Sequence, residues 1–165
     1  MQITEGDFEA AVERTLNKLQ GIEKLYTNQM NVLRTLVLEE TDIFLTAPTS
    51  SGKTIPPVIL PSVLHELSVM GYNVPSSSRV LFVTAMNSIQ LSLLTSVSKL
   101  GVKCAALTSE NVTTILDSDA QVLFVGPEVL KKKEVAMKLL QARSTFSLKV
   151  IDEVHLGKQE TSLLL

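Results

Sequence analysis

Chemistry in this chain is concentrated first in Ala47-Pro48-Thr49-Ser50-Ser51-Gly52-Lys53-Thr54. The segment ends in Gly-Lys-Thr, follows the apolar run Ile43-Phe44-Leu45, and precedes a stretch, residues 54–67, patterned as a helix. A loop between strand and helix that closes on Gly-Lys-[Ser/Thr] is the setting that binds nucleotide phosphates. Successive backbone N–H groups turn inward there, and the helix N-terminus adds partial positive charge, so the main chain cradles a polyphosphate. On this reading Pro48, Thr49, Ser50, Ser51 and Gly52 form the cradle. Lys53 reaches the β- and γ-phosphates, and Thr54 offers its hydroxyl to Mg²⁺. Ala47 stands where the general pattern has its first glycine. The competing reading is a Ser/Thr-rich turn with no ligand.

A second group lies far along the chain, in Lys149-Val150-Ile151-Asp152-Glu153-Val154-His155. An apolar strand ends there on two adjacent carboxylates followed by a histidine. Ligands of open α/β sheets bind beyond the carboxyl ends of the strands, which is where Asp152 would stand. It could hold Mg²⁺ through water, while Glu153 orients or deprotonates an attacking water. A solvated acidic turn at a strand end is the plain alternative.

Strands that end together and helices that cover them are needed to position both groups. Phe8, Val12, Leu16 and Leu19 repeat at helical spacing over residues 5–20, with Glu5, Asp7 and Glu9 where a helix dipole favours acids. Gly21 ends that helix, and a second is expected over residues 28–39. A strand at 43–46 then leads into the phosphate loop. Pro56 and Pro57 fit the opening turn of the following helix, whereas Pro61 removes an internal hydrogen bond and should kink it. Further on, strands are expected at 80–83, 102–107, 121–125 and 148–151. Between them lie helices at 89–100, 112–116 and 128–140, the last opened by Pro127. Apolar strands alternating with amphipathic helices indicate an α/β fold with a mostly parallel sheet covered on both faces.

Composition narrows the function classes. The chain has 165 residues, 45% of them hydrophobic and 19% charged, which suits an ordinary folded domain. A net charge of −2 carries no global basic field, so any contact with a polyanion must come from a local patch. Lys131-Lys132-Lys133 is one candidate for phosphate contacts, and a solvated helix start is the simpler reading. Cys104 is the single cysteine, which excludes an internal disulfide and suits a reducing compartment. One cysteine and two histidines cannot supply a structural zinc site, and His65 reads as a packed or surface residue. No run of 18 apolar residues appears and no basic-then-apolar leader opens the chain, so neither a membrane span nor a secretory signal is expected. Location is expected to be intracellular, nuclear or cytoplasmic.

Together these segments resemble the first RecA-like domain of a superfamily 2 helicase of the DExH type. Ala47 to Thr54 is similar to that superfamily's phosphate loop, in which alanine is usual at the first position. Asp152-Glu153-Val154-His155 resembles its D-E-x-H box. Leu25-Tyr26-Thr27-Asn28-Gln29 resembles the segment whose glutamine reads the adenine edge, making Gln29 the candidate against an exposed helix-start role. Val83-Thr84-Ala85-Met86-Asn87-Ser88 sits where the family has a strand-end loop touching the nucleic-acid backbone. Gly126-Pro127-Glu128-Val129-Leu130 is similar to the P-E-x-L segment of RecQ-like helicases. Ski-like helicases share the Leu25-Tyr26 and Ala-Pro-Thr features. The loop at 84–88 lacks the Pro-Leu usual in both groups, and residues 156–160 carry no aromatic residue.

The resemblance implies a RecA-like P-loop three-layer sandwich, with residues 1–24 a helical segment and 25–165 a partial ATP-binding domain. It implies ATP and Mg²⁺ as cofactors. Single-stranded or junction DNA is the implied partner, with RNA the alternative. Lys53, Asp152 and Glu153 would carry hydrolysis, Thr54 and Asp152 would hold the metal, and His155 would relay nucleotide state. Thr84, Asn87, Ser88, Gly126, Pro127 and Glu128 would face nucleic acid. The superfamily's next strand, with its S-A-T segment, and the second RecA-like domain with its arginine finger do not follow His155. The expectation is therefore a piece of a helicase whose sheet lacks a strand and whose hydrolysis needs a longer protein. The alternatives are a non-catalytic nucleotide-binding remnant, a DExH RNA helicase fragment and, least favoured, a small P-loop kinase.

Overall fold

A computed structural model of the chain describes residues 2–39, 41–46, 52–84 and 87–152, without the side chains of 87–89. Two compact units divide it, Met1–Ser78 and Arg79–Leu165.

The first unit is helical among the described residues. Helix α1 (Glu5–Leu16) starts at Thr4, whose hydroxyl accepts from the Asp7 N–H and donates to the Asp7 carboxylate at 2.6 Å. That reciprocal cap satisfies a first-turn donor the helix cannot. The apolar stripe of α1 buries Phe8, Ala11, Val12 and Leu16. It packs on α3 (Ile55–Val69), which is apolar nearly all round and buried along most of its length. Two polar ties fix this pairing: Lys18 with the buried Glu66 carboxylate, and the Tyr72 hydroxyl donating to Asp7 at 2.5 Å. Helix α3 continues through Pro61, where a kink was expected; the ring is itself buried. The helix expected at 28–39 is α2 (Thr27–Arg34) followed by a π-helical turn, Thr35–Glu39.

Residues 43–46 correct the sequence reading. They form no strand, and Phe44 is 83% exposed. An apolar run becomes a strand only when its N–H and C=O groups find a ladder, and none is paired with this run among the described residues.

The second unit holds a four-stranded, all-parallel sheet of β1 (Arg79–Val83), β2 (Cys104–Ala106), β3 (Val122–Val125) and β4 (Phe146–Ile151), in the order β2-β3-β1-β4. This is the α/β class expected, with four strands among the described residues in place of five. The central strands β1 and β3 are almost continuously buried, as parallel strands covered on both faces must be. Leu81, Val83, Leu123 and Val125 point to one face, where α5 (Val112–Leu116) and α7 (Lys133–Gln141) supply Val112, Val135 and Leu139. Helix α4 (Asn87–Lys99) packs on β2 and β3, and the thiol of Cys104, on β2, donates to the Leu94 carbonyl of α4. Cys104 is half-buried, and burial pushes its thiol pKa up.

One long helix was expected at 128–140; two are found. The chain turns at Lys132, which is extended (φ −74°, ψ 116°), between α6 (Pro127–Leu130) and α7. Val129 and Leu130 pack against the same core as Val135 and Leu139, and the turn lets each short helix lay its apolar side there.

Candidate functional site

The phosphate-loop end is built in the first unit. Gly52 sits at φ +68°, a left-handed conformation that costs a residue with a Cβ about 1–2 kcal/mol. A Cβ at Gly52 would also overlap the amide nitrogen of Gln29. The Gly52 carbonyl accepts from Gln29 Nε2 at 3.0 Å and from the Ile55 N–H at 3.1 Å. Gln29 Oε1 meanwhile accepts from the Tyr26 N–H at 2.9 Å, capping the start of α2. Gln29 is therefore buried and bonded at both ends, joining the start of one helix to the residue before Lys53. Tyr26 beside it is 70% exposed.

Thr54 occupies the N-cap of α3 and makes no side-chain capping bond, so its hydroxyl is not spent on the helix. Pro56 and Pro57 have no N–H, which confines the donors at this helix start to the residues before Pro56. The left-handed glycine, the uncapped helix start and the Lys53–Thr54 pair fit a polyphosphate with its metal. Ala47, Pro48, Thr49, Ser50 and Ser51 lie outside the described residues.

The other candidate residues gather at the carboxyl ends of the strands in the second unit. Thr84 follows β1, Gly126 follows β3 and Asp152 follows β4, in one row across the sheet. The Thr84 N–H donates to the Val125 carbonyl at 3.1 Å, and the Asp152 N–H to the Val83 carbonyl at 3.0 Å. This is the edge where open α/β sheets bind ligands. Thr84 is 1% exposed, and its hydroxyl has no hydrogen-bond partner among the described residues. Gly126 is buried, with the Glu128 carboxylate folded back where a Cβ would stand. Pro127 opens α6. Glu153, Val154 and His155 lie outside the described residues, and the side chains of Asn87 and Ser88 are not described.

Sequence reasoning overlooked Gln90. It is buried on α4 and donates from Nε2 to the Thr84 carbonyl at 3.2 Å. Its position between the apolar residues Ile89 and Leu91 was the available signal.

The peripheral candidates lie at the surface. His65 is exposed, with Nδ1 3.0 Å from the Ser76 carbonyl. Lys131, Lys132 and Lys133 are exposed, and Lys132 Nζ donates to Ser109 Oγ at 2.6 Å. Among the described residues there is no cluster of metal-binding side chains, and no helix is long and apolar enough to cross a membrane.

No curated protein matches the chain. The family model for DEAD/DEAH box helicases matches residues 26–162, from the start of α2 past Asp152. That span contains the Gln29–Gly52 clamp and the whole parallel sheet, the fold of a RecA-like domain. The chain belongs to the DEAD/DEAH box helicase family, whose members bind ATP, typically with Mg²⁺, and it carries that family's nucleotide-binding domain.

Proposed function

We propose that this chain is the ATP-binding domain of a DNA helicase of the DExH type, RecQ-like rather than Ski-like. In the intact enzyme it couples ATP hydrolysis to strand separation. The observation that carries the nucleotide half is the Gln29 clamp on Gly52, the residue before Lys53. A residue already held in place spends no binding energy on being ordered. Bound Mg-ATP would supply the phosphoanhydride to be cleaved. Of this chain's residues, Lys53 would hold the β- and γ-phosphates, Thr54 and Asp152 the metal, and Glu153 the attacking water. His155 would relay the outcome to the nucleic-acid side. Gly126-Pro127-Glu128 favours the RecQ-like assignment and hence DNA.

Calorimetric titration of the chain with Mg-ATP, beside Lys53→Ala, tests the reading. Saturable binding that weakens by at least about tenfold in the variant is expected, since a charge-assisted contact contributes about 1.5–3 kcal/mol. A cooperatively melting chain that takes up no Mg-ATP would refute it. Comparing labelled single-stranded DNA with RNA of the same length decides between the DNA and RNA forms of the proposal.

A further inference from the structure

We infer that Gln29 is a positioning residue for Gly52 and Lys53 and does not read the base, so that the site takes up ATP and GTP alike. This rests on the nucleotide-binding reading above. A carboxamide reads adenine with both ends at once, its oxygen accepting from N6 and its nitrogen donating to N7. In Gln29 both ends are engaged within the chain. Oε1 accepts from the Tyr26 N–H at 2.9 Å, and Nε2 donates to the Gly52 carbonyl at 3.0 Å. The first bond gives a helix-start donor of α2 the partner that its own helix cannot. The second holds the residue before Lys53. One further donor and one further lone pair remain on the amide, but the residue is only 6% exposed, so little of it is open to a ligand. Turning the amide to a base would leave the Tyr26 N–H unpartnered and the Gly52 carbonyl with the Ile55 N–H alone. Reading adenine would thus exchange two bonds for two, which adds nothing to affinity.

The test titrates the full chain with Mg-ATP and with Mg-GTP, as wild type and as Gln29→Glu, and follows hydrogen exchange at the Tyr26 amide. Gln29→Glu keeps an acceptor for the Tyr26 N–H, and so the cap of α2, while removing the donor to Gly52. Guanine presents two acceptors, O6 and N7, where adenine presents a donor and an acceptor, so an amide that read the base would reject GTP strongly. Wild-type affinities for the two nucleotides are expected to agree within about threefold, as in a site that leaves the base edge unpaired. Gln29→Glu should weaken both equally, by about tenfold, the scale of one lost buried hydrogen bond. Exchange at Tyr26 should be no faster with Mg-ATP bound. A wild-type preference for ATP of about tenfold or more would overturn the inference. So would Tyr26 exchange that quickens on binding, because Gln29 would then have left its partners, or a Gln29→Glu variant that loses ATP and spares GTP. The wild-type measurements decide the matter even where the variant does not fold. A cooperatively melting wild type that binds neither nucleotide would instead refute the nucleotide reading, and the inference with it.

Discussion

Ile43-Phe44-Leu45-Thr46 and Val122-Leu123-Phe124-Val125 are short apolar runs of the same kind, and they come to opposite ends. The first lies outside any strand, with Phe44 83% exposed; the second is the central strand β3, with Phe124 fully buried against Phe82 at 5.3 Å. Apolar character states a demand for burial. Whether a strand forms depends on neighbours, and β3 has β1 on one side and β2 on the other. Both runs precede segments assigned to the site, so the contrast also separates two ways of holding functional groups. The sheet unit holds Thr84, Gly126 and Asp152 by its ladder. The helical unit holds Gly52 through one glutamine side chain.

Substitution within the two runs should reproduce that contrast. Phe124→Ala is expected to destabilise by about 3–5 kcal/mol in denaturant titration, as emptying a filled core site does. The matching Phe44→Ala should stay within about 0.5 kcal/mol, as at exposed positions. A large loss at Phe44 would mean that 43–46 is buried after all, and the contrast would collapse.

Next in size is Gly52→Ala, which tests whether the helical unit depends on its single clamp. A cost of about 1–2 kcal/mol follows from the left-handed backbone alone. The overlap with Gln29 should weaken Mg-ATP binding as well, and an unaffected titration would show that the clamp does not set the loop.

Smallest is an effect of pH on the helical unit. The Thr4 hydroxyl first, and the Tyr72 hydroxyl second, hold the Asp7 carboxyl below its ordinary value. The stability this adds is present above the ordinary carboxylate range and is lost as pH falls through the lowered value. Asp7→Asn should therefore flatten the acid side of a melting-temperature profile, and an unaltered profile would remove Asp7 from the account.

Much of this was legible in the residues. The strands around Val80-Leu81-Phe82-Val83 and Val122-Leu123-Phe124-Val125 announced themselves as uninterrupted apolar runs, and Gly101 marked the end of α4 at φ +84°. Gln29 was singled out by resemblance, and its bond to the Tyr26 N–H three residues back is a local capping pattern, but its bond to the Gly52 carbonyl, 23 residues on, is one that no local pattern encodes. Gln90 escaped for the same reason: its partner is a backbone carbonyl, which has no residue type to recognise. The break at Lys132 escaped because helix periodicity on either side is intact. Only the shared core of Val129, Leu130, Val135 and Leu139 requires the turn.

The π-helical turn Thr35–Glu39 has a consequence for chain length. A π turn is an α-helix carrying one surplus residue, so it marks where the chain tolerates a deletion. Removing Leu36 should let α2 run on as ordinary α-helix with Leu33 and Val37 both still inward, whereas removing Asn31 would rotate Leu33 out of its site. Equal melting temperatures for the two deletions would show that the surplus residue confers no such tolerance.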